Sequence, residues 1–311
     1  MYLVTKKNLE YLDLSNNKLK YFSLSNTPML EYINLANNML DTVSLNHVNN
    51  TNYLKTFILS NNTIEDIHPY TFEKHVGLEI LNLANNNVKL CNNSFSGLLR
   101  LTDLSMRNNN IDEIPPGLFD NLNNLRKLDL SKNRIKYFTS NSTFQGLSNL
   151  EILNISYNSL QEINYPLLQP LKNLNVLDIA GNRVHYIQYD LIISDLPLLS
   201  VLNIKSNYLS CELLYKIIKY LRHKNVNYTI NEEFDYEKEN VAGIYCNSEK
   251  NVSPNSLKSE SISGGSYALV VIGGILGVIL VLIVIVVSVF KIHVFLKRRK
   301  YKADEFELID E

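Results

Sequence analysis

Apolar and polar positions along the chain fall into a pattern that returns nine times. In the stretch LRKLDLSKNRI, residues 125–135, Leu125, Leu128, Leu130 and Ile135 are apolar. Lys127, Asp129 and Ser131 lie between them and are polar, and Asn133 follows at a fixed offset. Equivalent copies begin at Leu9, Leu30, Leu54, Leu78, Leu101, Leu125, Leu150, Leu174 and Leu199, stepping by 21 to 25 residues. Each keeps its asparagine: Asn17, Asn38, Asn62, Asn86, Asn109, Asn133, Asn158, Asn182 and Asn207. The alternation around Leu128 and Leu130 has period two, which predicts a short strand with one buried face. One unit cannot bury its leucines alone, so neighbouring units must stack their strands into a parallel sheet.

The return half of each unit repeats as well. Phe72, Phe95, Phe119 and Phe144 fall 17 to 19 residues after their unit begins and form an aromatic stripe. Cys91 shares its offset with Phe22, Val43, Ile67, Ile114, Phe138, Ile163 and Ile187. It is therefore read as a buried thiol, with a reactive or intermolecular cysteine as the other possibility. Leu213, Leu214, Ile217, Ile218 and Leu221 recur at helical spacing and predict an amphipathic helix over 211–222. That helix would cover the last unit.

Together, L-x-x-L-x-L-x-x-N-x-L and the trailing phenylalanine resemble the leucine-rich repeat family, in its extracellular class of about 24 residues per repeat. The short first unit, with SLSNTPML at 23–30, is similar to units of insect Toll-like ectodomains. The resemblance implies an α/β solenoid: a horseshoe with a concave parallel β-sheet, closed by a helical C-terminal cap. It also implies that each asparagine bonds the backbone of its own and the adjacent repeat. Nine repeats are assigned to 1–206 and the cap to 207–253. Cys211 opens the cap helix and Cys246 closes the segment NVAGIYC, so a bridge between them is expected to staple it. The family's common cap has four cysteines where this one has two. Two thiols are too few for a metal site.

Residues 254–267 are small and polar and read as a stalk. Residues 268–290 carry no charge, and a helix of that length crosses a bilayer core of about 30 Å. Lys291, Lys297, Arg298, Arg299, Lys300 and Lys302 follow it, which places the tail, 291–311, in the cytoplasm and the repeats outside. The expected location is a plasma membrane crossed once by a type I anchor. Such export needs a signal sequence, and residues 1–8 do not form one. Met1 is accordingly expected not to be the start of the natural product. Sequons at Asn49, Asn61, Asn92, Asn141, Asn154, Asn227 and Asn251 all precede the apolar run, as a glycosylated ectodomain requires. Pro254 follows the last of them and disfavours it.

Composition adds little. Lys plus Arg is 30 against 31 Asp plus Glu, a net charge of −1 that offers nothing for nucleic acid. The six histidines are scattered, with no nucleophile at a catalytic spacing and no glycine-rich phosphate loop. Neither an enzyme nor a cofactor is expected. Gly273 and Gly277 form G-x-x-x-G, which would let two membrane helices pair; glycine is also common in such spans for no reason of pairing. Asp304, Leu308 and Ile309 match the acidic di-leucine sorting pattern, whose plainer reading is a solvated acidic tail.

The polar strand positions define the candidate site. Repeats five and six gather Asp103, Arg107, Lys127, Asp129 and Lys132, and repeats seven to nine carry Ile152, Val176 and Val201 beside Tyr157. Charges beside an apolar strip are a common build for protein-binding surfaces. A protein ligand is expected across repeats five to eight, with Arg107, Lys127 and Asp129 setting register and Tyr157 and Val176 as anchors. The plainer reading is that these charges pair with one another across neighbouring strands. Asn154 sits inside the strip, and a glycan there would obstruct it. A cell-surface binding protein is the first reading. An auxiliary subunit of a channel or receptor complex, or a cytosolic scaffold, are the alternatives.

Overall fold

A computed structural model describes residues 2–3, 8–24, 27–43, 53–231 and 238–247. All belong to the first of two units into which the chain divides, 1–250 and 251–311. Nine three-residue strands make one sheet: β1 (Tyr11–Asp13), β2 (Tyr32–Asn34), β3 (Thr56–Ile58), β4 (Ile80–Asn82), β5 (Asp103–Ser105), β6 (Lys127–Asp129), β7 (Ile152–Asn154), β8 (Val176–Asp178) and β9 (Val201–Asn203). They are ordered as in the chain and pair in parallel without slippage, so that Lys127 lies beside Ile152 and Ile152 beside Val176. The central residue of each strand from β2 onward is buried, and its two neighbours face the open side. Period two therefore becomes two columns of open-face side chains, at the third and fifth repeat positions, while the seventh-position residues past the strands are mostly buried, Ala36, Ala84, Ser131, Ser156 and Ala180 among them.

Between the strands and the return segments lies a continuous leucine core, with Phe72, Phe95, Phe119 and Phe144 buried behind it. Their rings stack in pairs, 6.5 Å apart for Phe72 and Phe95 and 6.2 Å for Phe119 and Phe144. Later repeats replace the phenylalanine by Leu168 and Ile193, carried on short helices α1 (Tyr165–Leu168) and α2 (Tyr189–Asp195).

The asparagine ladder closes the turns. Asn62 donates from Nδ2 to the carbonyls of Leu35, one repeat back, and Leu59, each at 3.0 Å, while its Oδ1 accepts the Leu40 N–H at 3.0 Å. The residue before each such asparagine adopts left-handed φ, from Asn16 at 58° to Ser206 at 57°. Asparagine tolerates that region better than other side chains, which explains the Asn-Asn doublets of the early repeats.

Helix α3 (Cys211–His223) closes the far end, with Leu214, Ile217, Ile218 and Leu221 buried; Leu213 is only partly so. Ser210 Oγ caps it by accepting the Leu213 N–H at 3.2 Å. Cys211 and Cys246 are joined, S–S 2.11 Å. Cys91 departs from the buried slot its offset suggests: it is half-buried, its sulfur 3.2 Å from Ser94 Oγ. The chain turns into the return segment immediately after it, which lifts the thiol partly clear of the core.

Candidate functional site

The open face of the sheet brings together some of the expected residues. Asp103 and Lys127 lie side by side on β5 and β6, and Lys127 Nζ is 3.3 Å from Asp103 Oδ1. Both are partly exposed, so the pair contributes little. Arg107 extends along the seventh-position column and donates from Nη1 to Ser131 Oγ at 2.8 Å. Asp129 Oδ1 accepts the Ser131 N–H at 2.9 Å. Mutual pairing of the four charges is thus realised in Asp103 and Lys127, while Arg107 and Asp129 converge on Ser131.

Val176 lies between Ile152 and Val201 in the third-position column, half-buried, making an apolar row one strand from Lys127. Tyr157 is placed differently. It follows the seventh position and lies in the turn, with φ 53°. Its ring covers Gly181, where a Cβ would come within 2.6 Å of ring carbon Cδ1. Lys132 Nζ stands 6.0 Å from its centroid. Tyr157 therefore belongs to the rim of the face, beyond the strand columns.

Electrostatics single out the fifth-position column. Burial raises the Asp178 carboxyl above the usual carboxylate range, and the charge of Asp129 adds to this. The Ala180 N–H, the Asn203 amide and the charge of Lys205 act in the opposite sense. Asn154 stands between the two carboxylates in register, and its Oδ1 accepts both the N–H and the hydroxyl of Ser156, at 3.0 and 2.6 Å.

Other residues of this face were given no binding role from sequence. Tyr11 and Tyr32 stack on β1 and β2, centroids 4.2 Å apart and planes 4° from parallel. Burial raises the Tyr32 phenol above its ordinary value, and Tyr11 adds to it. Beside them Asn34 Nδ2 donates to Asp13 Oδ2 at 3.1 Å. Past β9, Asn227 continues the sheet: its N–H donates to the Ser200 carbonyl at 2.7 Å and its carbonyl accepts the Leu202 N–H at 2.9 Å. The Thr229 hydroxyl donates to Asn203 Oδ1. A signal existed, since Val226-Asn227-Tyr228-Thr229 alternates as the strands do.

Among the other sequons, Asn61 occupies an exposed left-handed turn position, and Asn92 and Asn141 lie exposed in return loops. Asn49, Asn251, the apolar run 268–290, Gly273, Gly277, Asp304, Leu308 and Ile309 lie outside the described residues. Among the described residues no helix is long and apolar enough to cross a membrane, and no three metal-ligating side chains converge.

The leucine rich repeat model matches residues 28–88, 52–111, 85–135 and 137–184, and a second model of the same repeat matches 8–28. The chain belongs to the leucine-rich repeat family. Similar folds occur in the Drosophila Toll–Spatzle complex, at TM-score 0.58 and 24% identity over 67% of this chain and 28% of that one. The glycosylated form of that complex gives 0.59 and 23% over 76% and 31%. A Leptospira interrogans leucine-rich repeat protein gives 0.59 and 25% over 73% and 55%. This chain thus spans 28% to 55% of the length of those structures. No curated protein matches it.

Proposed function

We propose that the chain is a cell-surface binding protein, a receptor, co-receptor or adhesion molecule, that recognises a protein ligand through the concave sheet of repeats five to eight. The observation that carries this reading is the arrangement from β5 to β9. Lys127 and Asp129 stand on β6, with Arg107 two residues past the end of β5, beside the half-buried row Ile152, Val176 and Val201. Apolar centres ringed by charges are how such interfaces gain both affinity and register. Tyr157 contributes from the rim. At the level of fold alone, the Toll–Spatzle complex supports a protein partner.

The membrane anchor rests on sequence: an uncharged run at 268–290 flanked by bases on one side, and sequons that all precede it. In the same reading Gly273 and Gly277 pair two helices, and Asp304, Leu308 and Ile309 direct internalisation.

The test is a full chain displayed on cells. Antibody against the repeats should label intact cells, and peptide N-glycosidase should lower the apparent mass. An array of soluble extracellular proteins should then yield a ligand whose binding falls at least tenfold with Arg107→Glu and with Val176→Glu. Labelling only after permeabilisation would refute the cell-surface reading. A ligand indifferent to both substitutions would refute the surface.

A further inference from the structure

We infer that a second site, a cleft for a neutral glycan, lies on the flank where the last two repeats meet the capping helix. The cleft is open to solvent and holds about 510 Å³, inside the roughly 300–1,000 Å³ range of small-ligand sites. His185 and Tyr186 supply one wall from the eighth repeat, and Tyr208 comes from the ninth. Glu212 and Lys216 reach in from α3, and Asn247 closes the far side.

The walls are held from several directions. Tyr186 is in a short parallel pairing with Glu162. The Asn247 N–H donates to the Leu209 carbonyl at 3.0 Å, and its own carbonyl accepts the Cys211 N–H at 3.1 Å. The Cys211–Cys246 bridge adjoins both residues. A cleft fixed by repeat stacking, a helix and a covalent link loses little entropy on binding.

Its chemistry points to one class of ligand. Tyr186 is 61% exposed and Tyr208 48%, and the His185 and Tyr208 rings lie 5.3 Å apart. Aromatic faces carry partial negative charge and attract C–H groups such as those on the flat side of a pyranose. Glu212 and Lys216 pair at 2.6 Å, so their charges cancel. The lining suits neither an anion nor a cation. The two phenols, the imidazole and the Asn247 amide make no side-chain hydrogen bond among the described residues, and they offer donors and acceptors together. Hydroxyl groups need both. A proline-rich peptide would also use tyrosine faces. Its prolines bring carbonyl acceptors but no backbone donors, leaving the acceptors of this cleft unmatched.

The test is an array of neutral, sialylated and sulfated oligosaccharides, probed with the full chain in detergent. Saturation-transfer difference NMR then follows the strongest neutral hit. Binding of a neutral oligosaccharide is expected, reduced at least tenfold by Tyr208→Ala and by Tyr186→Ala. Lys89→Ala, exposed and four repeats away, should leave it unchanged. Both tyrosines are exposed, so the variants should keep the parent circular dichroism. Tyr208→Phe retains the platform and should bind within about threefold, which separates a lost ring from a disturbed fold. No neutral hit, neutral binding indifferent to both alanine variants, or tyrosine-dependent capture of a proline-rich peptide instead would each overturn the proposal. None of these outcomes bears on the protein ligand of the sheet face.

Discussion

Replacing Asn133 by alanine should be among the most damaging single changes in the solenoid. Asn133 is 7% exposed. Its Oδ1 accepts the N–H groups of Asn109 and Ile111 at 2.8 and 3.0 Å, and its Nδ2 donates to the carbonyls of Met106 and Leu130 at 3.0 and 2.8 Å. Alanine orphans two donors and removes one partner from each of three acceptors, the third being the Ser131 carbonyl at 3.3 Å, at a depth water does not reach. A buried unsatisfied polar group costs about 1–3 kcal/mol, and donors cost more than carbonyls, so the loss should be about 3–5 kcal/mol. Asn17 is the internal control, at the same repeat position but exposed. Its Nδ2 donates to Leu14 and Ser15 carbonyls, each at 2.9 Å. Water can replace both bonds, and Asn17→Ala should cost under about 1 kcal/mol.

Urea unfolding followed by circular dichroism measures the difference. Tyrosine fluorescence serves as a second probe, since the chain has no tryptophan. Repeat proteins lose stability through local terms between neighbours, so hydrogen exchange should accelerate first at the Asn109 and Ile111 amides. Equal shifts for the two variants, or no local acceleration, would show that the ladder is not held by desolvation as argued.

Two further predictions concern single positions. His75 is 3% exposed, stands in a slot filled elsewhere by leucine, and has neither ring nitrogen hydrogen-bonded. Burial lowers its pKa from 6.5 to about 4. The folded state therefore binds the proton less readily than the unfolded chain, and stability is full above about pH 6.5 and lost as pH falls toward 4. The loss is at most about 3 kcal/mol at 1.36 kcal/mol per unit; His75→Leu should flatten this pH slope, and an unaltered slope would acquit His75. Gly181→Asn restores the common residue of the turn column but collides with the Tyr157 ring. It should destabilise the parent and be tolerated in a Tyr157→Asn background, a coupling of at least about 0.5 kcal/mol in a double-mutant cycle of urea midpoints; additive effects would mean the ring can simply move away.

What was legible in the sequence is what the solenoid repeats. Leu128 and Asn133 each sit in an environment copied in every repeat after the first, so pattern alone places them in the core and the turn. Rules break where a residue leaves its column. Tyr157 is expected as an anchor beside the apolar strip, yet it follows the seventh position, in a left-handed turn at the rim. Cys91 shares the offset of buried isoleucines, but the chain bends away directly after it. The cap cleft had no sequence signature, because His185, Tyr208 and Asn247 meet only through packing of the last repeats against α3. Asn227 had one, an alternation lacking the leucine-asparagine frame that identifies the other strands.

Asn154 governs how much of the open face a ligand can reach, and its surroundings argue that it stays largely bare. Its Oδ1 is held by both the N–H and the hydroxyl of Ser156, and Ser156 is 2% exposed. Asp129 and Asp178 flank it in the same column. A sugar on Nδ2 would cover two carboxylates, of which Asp178 already has its ionised form disfavoured by burial. Further desolvation raises the cost of that charge. Asn141 and Asn227 are exposed and their own side-chain amides make no hydrogen bond among the described residues, although the hydroxyls of Thr143 and Thr229 are engaged as that of Ser156 is. In chain secreted or displayed by cells, mass spectrometry of the glycopeptides should therefore show lower occupancy at Asn154 than at Asn141 and Asn227. A bare Asn154 leaves Ile152, Val176 and Val201 open to a ligand that approaches between the rim and the cap. Full occupancy at Asn154 would close that row, remove Val176 as an anchor, and leave the Tyr11–Tyr32 stack and β3 to β5 as the accessible part of the face.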